Sequence, residues 1–120
     1  MFTSRRVFTL LACATLAGAV LAQDKYPSKP IRMIVPFPPG ASTDILGRTI
    51  AQKLSTTMGV PVIVDNKGGA SGTMGSEMLA RSAPDGYTIG VAVPATHSLP
   101  IALSRKVPYD PIKDFTPLSI

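Results

Sequence analysis

Few side chains in this sequence could do covalent chemistry, and they are far apart along the chain. His97 is the one histidine and Cys13 the one cysteine. A lone histidine beside Thr96 and Ser98 reads as a structural or ligand-contacting residue, and no metal cluster can be assembled around it. Ser42 and Ser71 both lack the GxSxG elbow of a nucleophilic serine, and His97 is the only histidine that could serve either as a base. Gly69, Gly72 and Gly75 are spaced GxxGxxG, not the dinucleotide pattern GxGxxG, and no GxxxxGK[ST] phosphate loop occurs. No cofactor is therefore called for, and the residues do not read as an enzyme. Asp44, Asp65, Asp85, Asp110 and Asp114 are expected at caps and turns, the ordinary place for short carboxylates.

Three loops offer a different chemistry. Residues 36–44, 66–73 and 94–98 are rich in small or hydroxylated residues. In such loops backbone N–H groups and hydroxyls can approach a carboxylate closely, holding an anion without any covalent step. One such loop is an ordinary tight turn. Three at one edge of a sheet read as a binding site.

Strands and helices must alternate to bring those loops to one edge. Residues 31–35 form a β-branched run stopped by Pro36, Pro38, Pro39 and Gly40, which predicts a first strand and its turn. Ser42 is expected to cap a helix with Asp44 in its first turn, an apolar stripe at Leu46, Ile50, Leu54 and Met58, and an end at Gly59 before Pro61. A second strand follows at 62–64. A second helix is expected over 73–82 with Met74, Met78 and Leu79 on one face, ending before Pro84. Residues 87–93 are apolar almost throughout, which suits a strand buried on both faces. The alternation predicts an α/β fold with right-handed crossovers, in which the three loops share the C-terminal edge of a parallel sheet.

Composition fits this reading. Apolar residues make up 45% and charged residues 16% of the 120 residues, enough apolar material for one core and too short a chain for two domains. Residues 1–22 have a basic start with Arg5 and Arg6, an apolar run and a small-residue end, the layout of an export signal cleaved after Ala22. The apolar run is too short for a permanent membrane anchor. Arg5 and Arg6 also resemble a twin-arginine export motif, so the general and twin-arginine routes both stay open. From Gln23 onward ten basic residues face seven acidic ones, a net +3 without a basic run or interleaved aromatics, which excludes nucleic acid as the expected partner. Cys13 lies in the leader, so the remainder can form no internal disulfide.

Four segments carry a resemblance: YPSKPIRMIVPFPPGASTD, PVIVDNKGGASGTMG, APDGYTIG and VPYDPIKDFTPLSI. In this order they resemble the tripartite tricarboxylate transporter receptors, also called Bug-type extracytoplasmic solute receptors. The resemblance implies a periplasmic-binding-protein-like (type II) fold whose two lobes close on a small organic anion, delivered in the periplasm to a membrane permease. Residues 23–120 would form part of the first lobe, with the second lobe missing and 116–120 a strand near the interlobe crossover. One lobe alone is expected to hold a dicarboxylate weakly, because the anion stays open to water. Carried over by position, the ligand-binding candidates are Pro39, Gly40, Ala41, Ser42 and Asp44 in the first loop, Ala70, Ser71 and Gly72 in the second, and Thr96 and His97 in the third. Two positions depart from the family pattern: Ala41 stands where a glycine is usual, and Pro100 replaces an asparagine. The alternatives are a small exported α/β hydrolase-like enzyme and a single-lobe interaction or sensor module.

Overall fold

The computed structural model describes residues 25–119, so the export signal expected at 1–22 lies outside the described residues. The elements run β1 (Ile31–Val35), α1 (Ser42–Met58), β2 (Val62–Asn66), a 3₁₀ turn (Ala70–Gly72), α2 (Thr73–Ala80), β3 (Thr88–Gly90) and α3 (Ser98–Ala102). The strands form one parallel sheet in the order β2-β1-β3. Ile31 pairs with Val62 and Val35 with Asn66 on one side of β1, and Met33 with Ile89 on the other. Because β1 is central, Ile31, Met33, Ile34 and Val35 are all buried.

Alternation along β1 assigns the two helices to opposite faces. A Cβ on Gly47 of α1 would meet Val35, Val91 and Met33, whereas Leu79 of α2 lies against Gly90, the partner of Ile34. The face under α1 holds the main core, where Met33, Val35 and Ala51 are joined by Leu54, Val62, Val64, Ile89 and Val91. On the other face the Arg32 guanidinium bonds the Asp65 carboxylate, with Nε to Oδ2 at 2.8 Å.

Several details differ from the sequence expectation. Ala41, not Ser42, occupies the N-cap position of α1, and no side chain caps that end. The packed face of α1 is Asp44, Gly47 and Ala51, joined from the expected stripe by Leu54, while Leu46 and Ile50 are 53% and 40% exposed. The helix rolls its smallest residues toward the sheet because it approaches closely: a Cβ on Gly47 would stand 2.8 Å from Val35 Cγ2. Met74 of α2 is likewise exposed, and that helix stops at Ala80 instead of 82. The third strand is an edge strand of three half-buried or exposed residues, not a run buried on both faces. Its continuation turns back at Val93, whose carbonyl accepts the N–H groups of Thr96 and His97 at 3.0 and 3.2 Å. Residues 116–119 take no regular structure and Ile120 lies outside the described residues, so the strand expected at 116–120 is not formed over 116–119. The end of α1 is as expected: Gly59 takes φ +71° and closes onto the Ser55 carbonyl at 3.0 Å.

Candidate functional site

The parallel sheet delivers residues 36–41, 67–72 and 91–97 to one edge, the carboxyl ends of β1, β2 and β3. The three loops meet at Gly72. A Cβ there would stand 2.6 Å from Thr96 Cγ2 and 3.2 Å from Phe37 Cζ, so one glycine touches both other loops. Its φ of +89° is a second reason for glycine. Gly68 adds a contact between the first two loops, since a Cβ on it would lie 3.3 Å from the nitrogen of Pro38.

The first loop is shaped by Asp44, whose residue is only 3% exposed. Oδ2 accepts hydrogen bonds from the Gly40 N–H (2.9 Å) and Arg48 Nε (3.0 Å), and Oδ1 accepts one from Asn66 Nδ2 (2.8 Å). Asn66 Nδ2 also donates to the Phe37 carbonyl at 3.0 Å, and Arg48 donates to Asn66 Oδ1 at 3.1 Å. The network ties the loop to its helix and to the end of β2. Sequence reading placed Asp44 at a helix start but missed Arg48 and Asn66. The Asp44/Arg48 spacing of four residues, which puts the two side chains on one helix face, was the available signal. Ala41 has φ −69° and ψ 158°, extended backbone open to any residue, so its replacement of the family's usual glycine leaves the loop undistorted.

The Arg48 hydrogen bond, then the Gly40 N–H, then the Asn66 amide lower the Asp44 carboxyl from 3.8 to about 2. A carboxyl whose folded pKa is depressed contributes stability that is fully present above its unfolded value and is lost as pH falls through the folded one. Urea titrations at a series of pH values should therefore show stability falling between pH 3.8 and about 2. That part of the acid limb should be absent when Asp44→Asn is titrated in parallel. Identical limbs would show that Asp44 is not held in this network.

The second loop carries a strained backbone. Gly69, Ala70, Ser71 and Gly72 all have positive φ (132°, 48°, 57° and 89°), and two of the four are not glycine. Non-glycine residues in this region cost on the order of 1 kcal/mol each and collect at ligand clamps. Here they form a tight turn, closed by the Gly72 N–H on the Gly69 carbonyl at 2.9 Å. No side chain caps α2 at Gly72, so α1 and α2 both present uncapped amides at this edge.

In the third loop Thr96 is fully buried. Its hydroxyl donates to the Val93 carbonyl (3.0 Å), accepts from the Val93 N–H (3.3 Å) and lies 2.8 Å from His97 Nδ1. The half-buried His97 imidazole is pushed below its ordinary pKa by burial. Pro100, the other family departure, is buried within α3. The candidates thus divide by exposure. Pro39, Gly40, Ser42, Ala70 and Ser71 are exposed, Ala41 and His97 are partly so, and Asp44, Gly72 and Thr96 are buried beneath them. Charge is scarce among these loops: Lys67 pairs with Asp65 at 3.2 Å and Arg48 with Asp44. Among the described residues no group of three His, Cys, Asp or Glu is placed to hold a metal ion.

Three converging loops at the carboxyl edge of a parallel α/β sheet define one lobe of the periplasmic binding proteins, and comparison with known proteins places the chain within that class. Residues 46–120 match the tripartite tricarboxylate transporter family receptor, and the chain belongs to that family. BugT of Bordetella pertussis is 43% identical over 92% of this chain and 34% of its own length. The structure of MatC from Rhodopseudomonas palustris with bound malate superposes with a TM-score of 0.73 at 39% identity, covering 78% of this chain and 32% of MatC. A second R. palustris protein, solved with adipate, gives 0.68 at 33% identity over 78% of this chain and 31% of its own. The chain spans about a third of the length of the curated relatives it matches.

Proposed function

We propose that this chain supplies part of the first lobe, residues 23–120, of a periplasmic receptor that captures a small dicarboxylate for a tripartite tricarboxylate-type permease. The observation that carries the reading is the meeting of three loops at Gly72, with uncapped amides of α1 and α2 at the same edge. Amides so arranged suit a carboxylate, and malate and adipate in the two structural neighbours are both dicarboxylates. The exposed Pro39–Ser42 and Ala70–Ser71 segments would face the solute, with His97 at the third loop. Asp44, Gly72 and Thr96 would hold those segments in place.

Catalysis finds no support in this geometry. The hydroxyl beside the His97 imidazole belongs to Thr96, which is fully buried and already bonded to Val93. Such a pair cannot reach a substrate. Turnover against a panel of esters and phosphates should be undetectable, and any saturable activity would revive the hydrolase alternative.

The direct test uses a full-length family member carrying this sequence as its first segment. Calorimetry should show binding of malate or adipate, with Ser42→Ala weakening it roughly tenfold, about 1.4 kcal/mol. Lys53→Ala, on the exposed side of α1, should leave it unchanged. Equal affinities in the two variants would remove the anion-loop reading. Export is tested separately: envelope-localised protein should begin at Gln23, and an intact Met1 would count against cleavage after Ala22.

A further inference from the structure

Tyr109 and Phe115 lie far along the chain from all three loops, yet both reach the third. The buried Tyr109 donates its hydroxyl to the Thr96 carbonyl at 2.7 Å, across thirteen residues of sequence. Its ring meets Phe115 edge to face, 5.5 Å between centroids at 88°, and Phe115 meets His97 edge to face at 4.6 Å. Between these contacts Thr96 and His97 are joined by the Thr96 Oγ1 to His97 Nδ1 contact. The aromatic and hydroxyl groups therefore close a ring: Tyr109, Thr96, His97, Phe115 and back to Tyr109. On its far side Thr96 presses its methyl group toward Gly72 of the second loop.

We infer that Tyr109 and Phe115 are positioning residues that brace the third loop, fixing Thr96 and His97 for a solute that neither aromatic touches. The inference rests on the functional reading above for its effect on affinity, but the brace itself can be observed without any solute. Of the two aromatics, Tyr109 is the one whose side chain bonds the loop backbone, through its hydroxyl. Aromatic edge contacts add specific geometry to the burial they provide, so the ring holds His97 in orientation as well as in place. An Asp110 carboxylate that accepts the N–H groups of Ile112 and Lys113, at 2.9 and 3.0 Å, turns the chain between the two aromatics and brings Phe115 back to His97.

Two variants separate positioning from general stability. Tyr109→Phe keeps the ring and removes only the bond to Thr96; Phe115→Ala removes the cover over His97. In the chain itself, hydrogen exchange at the Thr96 and His97 amides, both bonded to Val93, should speed about tenfold in Tyr109→Phe, while exchange at Met33 and Val35 in the core stays unchanged. In Phe115→Ala the imidazole resonance of His97 should titrate closer to its ordinary midpoint, because burial is what lowers it. In the full-length receptor carrying this sequence, Tyr109→Phe should weaken malate binding about three- to tenfold. Unchanged exchange at Thr96 and His97, or exchange that speeds equally in the core, overturns the brace. Faster exchange with wild-type malate affinity overturns its role in recognition. A wild-type receptor that binds no dicarboxylate instead defeats the functional reading, while the exchange rates still decide whether the brace exists.

Discussion

Gly75→Ala should cost this chain about 1–2 kcal/mol of stability and uncouple the second loop from the sheet. A Cβ at that position would lie 2.6 Å from the carbonyl oxygen of Lys67, 2.9 Å from Pro36 Cα and 3.0 Å from Pro36 Cβ. Two of these atoms are backbone, at the ends of β2 and β1, so no rotamer change can make room. The first turn of α2 must instead retreat from the sheet, which costs about 1–3 kcal/mol or more in a well-packed interior. Alanine returns up to about 1 kcal/mol in helix propensity, too little to offset it. Retreat of α2 would also drag Gly72 from Phe37 and Thr96, the contacts at which the loops meet. Gly47→Ala is the informative comparison. Its new methyl would stand 2.8 Å from Val35 Cγ2, a side-chain atom, so a smaller loss is expected. Urea unfolding of both variants decides the matter, and a Gly75→Ala protein within about 0.5 kcal/mol of wild type would refute the packing argument.

The sequence made the sheet and the loops legible because both depend on local signals. A β-branched run stopped by prolines places β1, and the prolines and glycines after it place the first loop. What it concealed depended on packing. Periodicity rewards large apolar residues, so it selected Leu46 and Ile50 for the core, whereas the helix approaches the sheet through Gly47 and Ala51. Small residues at a close approach carry almost no hydropathy signal. The apolar run at 87–93 read as one long strand, but a buried threonine at 96 turns the chain at Val93 instead. The candidate site was legible as three loops and not as a structure. Nothing in the residue order shows that Gly72 touches Phe37 and Thr96, or that Tyr109 and Phe115 reach back to His97. Those contacts exist only once the strands are in register.

Asp44→Asn should weaken dicarboxylate binding roughly tenfold or more in a full-length receptor carrying this sequence, about 1.4 kcal/mol per factor of ten. Simple electrostatics predicts the opposite sign, since the substitution removes a negative charge beside an anion site. That repulsion is small here, because Arg48 Nε stands 3.0 Å from the carboxylate and neutralises it. Hydrogen bonding decides the outcome. All three partners of the carboxylate are donors: the Gly40 N–H and Arg48 Nε on Oδ2, and Asn66 Nδ2 on Oδ1. An asparagine amide offers one oxygen and one NH₂ group. Placed with its oxygen toward Gly40 and Arg48, it sets NH₂ against the NH₂ of Asn66. Flipped, it sets NH₂ against the Gly40 N–H and the guanidinium. Either orientation leaves donors facing donors in a buried position, so the first loop must shift, and Asn66 loses the bond that orients it toward the Phe37 carbonyl. Asp44→Glu should fail as well, since the longer side chain cannot keep its oxygens at both 2.9 Å from Gly40 and 2.8 Å from Asn66. Calorimetric titration of malate into Asp44→Asn reads the sign directly: weaker binding supports a buried brace beneath the amides, and tighter binding would mean that the carboxylate faces the solute and repels it.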